Sequence, residues 1–186
     1  MRDMLYTMLE HVGPAAMRYP RGNGVGADIQ REPELLEIGK GEILRDGGEI
    51  AIVAYGAMVH PSLAAAEKLA NKDHIETTVV NARFVKPLDA PLLLVLARTK
   101  RLIVTVEEAY LAGGFGSAVL ELLEENGLQD KVRVVRMGIP DRLITHGDAK
   151  LLLAKYGLDA DGIYNRVKES IEVLDERRAK PGRVIS

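Results

Sequence analysis

Four short runs rich in apolar and β-branched residues, each followed by a segment with helical spacing, constrain this chain more than any other feature. The first, Ile50-Ala51-Ile52-Val53-Ala54-Tyr55, stops at Gly56; the others are Thr77–Val80, Leu102–Val106 and Val132–Met137. Runs of this length without polar alternation fit strands covered on both faces, as parallel strands are. Helices are expected between them. In Val59–Ala70 the residues Val59, Leu63, Ala66 and Ala70 share a face; Asp89–Ala97 and Ser117–Glu125 follow, with Gly127 at a left-handed position that ends the latter. Pro61 and Pro91 fall in first turns, where a missing N–H costs nothing. Asp148–Tyr156 and Asp159–Arg177 read as two closing helices, the second with Ile163, Val167, Ile171 and Leu174 on one face.

This alternation predicts an α/β domain: a mostly parallel five-stranded sheet with one antiparallel edge strand and helices on both faces. Leu36–Leu44 and the turn Asp46-Gly47-Gly48 are expected to form a hairpin with the first strand and so supply that edge. The first thirty residues stand outside the pattern. Met1–Val12 reads as a helix, Ala15–Tyr19 as a strand ending at Pro20, and Asn23–Glu34 as a polar linker. Residues 1–34 therefore resemble the tail of a preceding domain, and residues 35–186 form the domain itself.

Composition narrows the functional classes. Of 186 residues, 47% are hydrophobic and 28% charged, enough to bury a core without staples, and the net charge of −2 offers nucleic acid or an anionic membrane no general attraction. There is no Trp, and Phe84 and Phe115 are the only phenylalanines, so no platform for stacking bases is evident. Absent cysteine excludes disulfides and thiolate metal sites, and His11, His60, His74 and His146 lack metal-ligand spacing. The amino terminus has no signal-peptide pattern, and no apolar run approaches the ~20 residues that span a bilayer. A cytoplasmic protein without nucleic-acid or membrane partners is expected.

Four stretches carry a family resemblance. They are Gly13-Pro14-Ala15-Ala16-Met17-Arg18-Tyr19-Pro20-Arg21-Gly22; Asn81-Ala82-Arg83-Phe84-Val85-Lys86-Pro87-Leu88-Asp89; Thr105-Val106-Glu107-Glu108 with Gly113-Gly114-Phe115-Gly116-Ser117; and Gly138-Ile139-Pro140-Asp141-Arg142 with His146-Gly147. In order and spacing they resemble the carboxy-terminal part of the 1-deoxy-D-xylulose-5-phosphate synthase family, thiamine-diphosphate enzymes of the transketolase type. The resemblance implies a homodimeric transferase of three domains that joins pyruvate, after loss of carbon dioxide, to glyceraldehyde 3-phosphate, in isoprenoid, thiamine and pyridoxal precursor synthesis. It implies thiamine diphosphate and Mg²⁺ in the full-length enzyme. The metal loop and the carboxylic acid that activates the thiamine are expected in amino-terminal domains outside this sequence, since Gly147-Asp148-Ala149 lacks the second glycine of such a loop. No catalytic, cofactor or metal residue is therefore expected here, and the chain alone should be inactive. The residues leave open a transketolase, a 2-oxoacid dehydrogenase β subunit, or a non-enzymatic interaction module on the same sheet.

Within the resemblance, Arg21 is the leading site residue. The family implies that this arginine reaches the phosphate of the aldehyde acceptor, and a guanidinium beside Gly22 can fork onto two phosphate oxygens. Arg18 is the second candidate for substrate-phosphate contact, although strand alternation sends it to the face of Pro20 and not of Arg21. Gly113, Gly114 and Gly116 read as a tight turn that lets a helix pack on the sheet, because no dinucleotide fingerprint accompanies them. Glu107 and Glu108 read as interface charges or charges at a helix amino terminus. Arg83 and Lys86 beside Asp89 suggest a clasp between domains, and His146 a solvated loop residue.

Overall fold

The computed structural model describes residues 1–20, 24, 26 and 30–179. Its sheet contains β1 (Glu42–Arg45), β2 (Ile50–Ala54), β3 (Thr77–Asn81), β4 (Leu102–Tyr110) and β5 (Arg133–Ile139), in the spatial order β1-β3-β2-β4-β5. β2, β3, β4 and β5 run parallel, and β1 is the antiparallel edge. All five residues of β2 are buried, as expected for a central strand covered on both faces. Ile50, Ile52 and Ala54 face one core with α2 (Val59–Asp73) and α6 (Ala160–Ala179); Ala51 and Val53 face the other with α3 (Ala90–Thr99) and α4 (Phe115–Glu125). The short α5 (Ala149–Lys155) leads into α6, and α1 (Arg2–Glu10) opens the chain. As expected, Gly127 follows α4 in the left-handed region at φ 65°. Its N–H and that of Leu128 donate to the carbonyls of Glu124 and Leu123.

The expected hairpin does not form. β1 pairs with β3, not with β2, because both edges of β2 are already taken by the parallel strands β3 and β4. The connection instead crosses the start of β3. There Gly48 donates to the Glu76 carbonyl at 3.1 Å, and a side chain at Gly47 would collide with the backbone of Thr77. Lys100 fastens the crossing, donating to the carbonyls of Gly47 (2.9 Å) and Gly48 (2.6 Å) and to the Thr78 hydroxyl (2.8 Å).

The expected strand at Ala15–Tyr19 is also absent. Those residues join no ladder among the described residues, and a strand without a partner has no hydrogen bonds to define it. α1 forms as expected, but Thr7 is its one buried residue. It is held by polar contacts to residues 31–36: Leu36 N–H donates to Thr7 Oγ1 at 2.9 Å, and Arg31 pairs with Asp3 at 2.5 Å. No described helix is long and apolar enough to cross a membrane.

α2 and α6 are clamped by charge as well as by packing. Lys168 Nζ lies 2.7 Å from Asp73 Oδ1 and 3.3 Å from the Tyr164 hydroxyl, and its ammonium sits over the Tyr164 ring. The hydrogen bond from Lys168 holds the Asp73 carboxyl below its ordinary value of 3.8, and Tyr164 adds to this. A depressed carboxyl contributes stability above its unfolded value that is lost as pH falls through the folded value. Asp73→Asn is therefore expected to flatten the acid limb of Tm against pH below about pH 4. Thermal unfolding of both proteins from about pH 2.5 to 6 checks this, and parallel acid limbs would contradict it.

Candidate functional site

Ligands of parallel α/β sheets gather beyond the carboxyl ends of the strands. Here that rim consists of Tyr55 and Gly56 after β2, Asn81–Arg83 at the end of β3, the last turn of β4, and Gly138–Arg142 at the end of β5. It includes the junction of β4 with α4. Glu107 is 1% exposed, and its two carboxylate oxygens accept from the N–H groups of Phe115 (2.7 Å) and Gly116 (2.8 Å). These are first-turn amides without partners inside the helix, at the positive end of its dipole. Glu107 is thus a charge at a helix amino terminus, one of the two roles expected for it. It also fills that terminus, which leaves no anion site there.

Close approach explains two glycines. A Cβ on Gly114 would meet the Tyr110 carbonyl and the Glu107 carboxylate, and one on Gly116 would lie 2.5 Å from Thr105 Oγ1 and 2.9 Å from Arg136 Cγ. The turn is a packing device, as expected. Arg136 Nη1 reinforces it, donating to the Leu111 carbonyl (2.8 Å) and Ser117 Oγ (2.7 Å). Phe115, set in place by Glu107, stacks on Tyr55 with ring centroids 6.0 Å apart and planes 19° from parallel.

Beside Tyr55 a crevice opens that is lined by Arg18, Pro20, Tyr55, Gly56, Ala57 and Glu108. The structure thus carries one of the two phosphate candidates, Arg18, which is exposed, to a crevice at the strand ends that Glu108 also lines. Arg21 lies outside the described residues. Tyr55 and Glu108 were not singled out as neighbours of Arg18. The one available signal was that Tyr55 ends its strand immediately before Gly56.

The remaining candidates separate. Arg83, at φ 56°, pairs with Glu42 of β1, and Asp89 accepts from the N–H groups of Leu92 (3.1 Å) and Gly41 (3.0 Å). Both clasp β1 to its own sheet and to α3, so the expected clasp between domains is corrected to one within the domain. Lys86 is exposed beside them, and His146 is exposed in the loop before α5. Asp148 caps α5, accepting from Leu151 N–H at 3.0 Å. With that carboxylate committed, and no cluster of three His, Asp or Glu among the described residues, the donor set does not fit a diphosphate–Mg²⁺ site. A hollow of about 330 Å³ between β5 and α6, bordered by Met137, Tyr156, Asn165 and Arg166, holds none of the sequence candidates.

Comparison with known proteins places these features. Residues 39–163 match the family described as transketolase, C-terminal domain. The chain is 53% identical over 168 residues to 1-deoxy-D-xylulose-5-phosphate synthase 1 of Geobacter metallireducens, covering 90% of this chain and 27% of that protein. It is 50% identical over 188 residues to the synthase of Synechococcus sp. strain JA-3-3Ab, covering 100% of this chain and 28% of that one. Among solved structures, a split-gene transketolase described as an inactive β4 tetramer superposes with a TM-score of 0.67. Its identity is 35%, over 77% of this chain and 46% of that one. A transketolase mutant of Pichia stipitis shares the fold at a TM-score of 0.53 and 20% identity, over 73% of this chain and 18% of that one. The chain spans little more than a quarter of the length of the curated relatives it matches. By sequence and fold it belongs to the transketolase C-terminal domain family, and within that family it groups with the carboxy-terminal portion of 1-deoxy-D-xylulose-5-phosphate synthases.

Proposed function

We propose that this chain is the carboxy-terminal part of a thiamine-diphosphate-dependent enzyme that condenses pyruvate with glyceraldehyde 3-phosphate. Roughly half of its residues are identical to those of several such synthases over nine-tenths or more of its length, and this observation carries the reading. Thiamine diphosphate and Mg²⁺ belong to the amino-terminal part of the assembled enzyme, where they supply the activated carbanion for the condensation. What this chain adds is an α/β domain, residues 35–186, and before it a tail, residues 1–34, that belongs with the preceding domain. Arg21, with Arg18, holds the phosphate of the acceptor.

The chain by itself has a structural and assembling role. Met1, Leu5, Leu9 and Val12 are all at least half exposed along and just beyond α1, an apolar stripe facing away from the segment that holds the helix. Contiguous exposed apolar surface of this kind finds a partner. In the enzyme that partner is the amino-terminal portion; in the pure chain it is a second copy, in keeping with a homodimer. Sedimentation at micromolar concentration is expected to show a dimer or a larger species, and a monomer throughout that range would contradict the assembling role.

The decisive experiment is reconstitution. The 186-residue chain alone is expected to turn over neither substrate and to leave thiamine diphosphate unbound in a calorimetric titration. Mixed or fused with the amino-terminal portion of a synthase, it should give deoxyxylulose 5-phosphate from pyruvate and glyceraldehyde 3-phosphate. Turnover by the chain alone, or a reconstituted enzyme that prefers ketose donors, would sink the proposal.

A further inference from the structure

β5 ends the sheet on one side, with β4 as its one neighbour. Arg133 N–H donates to the Arg101 carbonyl at 3.1 Å, and the Ile139 carbonyl accepts from Leu111 N–H at 2.9 Å. The odd-numbered residues of β5 therefore turn their backbone groups toward β4, and backbone direction alternates along a strand. The N–H and C=O groups of Val134, Arg136 and Gly138 point away from the sheet, and no described residue bonds to them. Seven residues, about 23 Å of strand, make a template for pairing when the edge is bare.

A second feature lies on the same edge. The hollow of about 330 Å³ is bordered by Met137 and Gly138 of β5, by Leu111, and by Tyr156, Gly157 and Arg166. It leaves room beside the strand for the side chains of an added chain. A compact ligand suits this place less well than a backbone does. Donors and acceptors recur along the edge at strand spacing; one small ion satisfies only those of one sign, whereas an extended peptide satisfies both.

Charge selects the occupant. β5 holds two arginines and no acid. Arg136 donates to the Leu111 carbonyl and the Ser117 hydroxyl, both uncharged, and neither Arg133 nor Arg136 has a carboxylate partner among the described residues. Arg166, across the hollow, meets Glu169 only at 3.5 Å. A second copy of the chain fits poorly. Full antiparallel overlap of two β5 strands about a twofold axis sets Arg136 against Arg136, and like charges directly opposite destabilise a pair.

We propose that the free edge of β5 is a docking site for an acidic, extended segment of another protein, which joins the sheet as a further strand along Val134, Arg136 and Gly138. Backbone hydrogen bonds hold the segment, the arginines select its acidic side chains, and its alternate, apolar side chains enter the hollow beside Met137. The proposal does not rest on the reaction assigned to the enzyme.

The probe is a blocked hexapeptide alternating Glu and Val, titrated against the 186-residue chain and against the reconstituted enzyme. Two controls accompany it: Lys in place of Glu, and N-methylation of the amides that would face β5. Both are expected to bind at least about tenfold more weakly, since the first meets like charge and the second loses several hydrogen bonds worth roughly 2- to 10-fold each. Arg133→Glu, at an exposed position, should weaken the Glu peptide about 3- to 5-fold and strengthen the Lys control. Hydrogen exchange reads the edge directly. In the free chain the amides of Val134, Arg136 and Gly138 should exchange faster than those of Val135 and Met137, and the Glu peptide should slow those three. No binding, equal binding of the three peptides, or protection that skips these amides overturns the proposal. Protection that grows with chain concentration alone would give the edge to a second copy. Binding to the lone chain but not to the reconstituted enzyme would give it to the amino-terminal portion. Either result also overturns it.

Discussion

Replacing Arg21 by methionine in the reconstituted enzyme is expected to lower kcat/KM for glyceraldehyde 3-phosphate by roughly 30- to 150-fold. The substitution removes a fork of charge-assisted hydrogen bonds and keeps an apolar stem of similar length. Each such bond contributes on the order of 1.5–3 kcal/mol. The phosphate stays partly hydrated, so the lower half of a two-bond total, about 2–3 kcal/mol, is the appropriate figure. Because the phosphate is held equally before and during bond formation, the loss should appear mainly in KM. Pyruvate carries no phosphate, and its decarboxylation should be unaffected. Glyceraldehyde without phosphate should hardly register the change. Equal losses with both acceptors would mean that Arg21 holds the assembly together and does not read the phosphate.

The parts of the fold that were legible in sequence are those fixed by local rules. Strands buried on both faces must be apolar along their whole length, so Ile50–Ala54 and Leu102–Val106 announce themselves and lie at the centre of the sheet. Asp89 and Asp148 stand where helix caps should stand, and both accept a first-turn N–H. What was illegible depends on distant partners. The partner of β1 follows from the occupation of both edges of β2, which no window around Glu42–Arg45 contains. β4 runs past its apolar stretch to Tyr110 because Glu107, a polar residue that would ordinarily end a buried strand, is neutralised by a helix that begins eight residues later. That Arg18 lines the same crevice as Tyr55 and Glu108 depends on the whole sheet being built first. It was hidden from strand alternation because the segment of Arg18 is not in a strand at all.

The largest effect on stability is expected at Glu107, and it tests the construction of the strand-end rim directly. Glu107→Ala strips the partners from two buried amides at the start of α4 and removes the negative charge facing the helix dipole. Each buried N–H left unpaired costs about 1–3 kcal/mol, so a total near 3 kcal/mol is expected. For a chain of this size that corresponds to a fall in Tm of about 6–12 °C. Glu107→Gln should fall between the two. One amide keeps an oxygen acceptor, while the other meets an NH₂ group, donor against donor. Hydrogen exchange distinguishes loss of the cap from general loosening. The amides of Phe115 and Gly116 should exchange faster by more than the change in global stability explains, whereas those of β2 should slow or quicken only with it. A Glu107→Ala protein with unchanged Tm and protected Phe115 and Gly116 amides would mean that these groups find other acceptors, and that Glu107 does not hold the rim together.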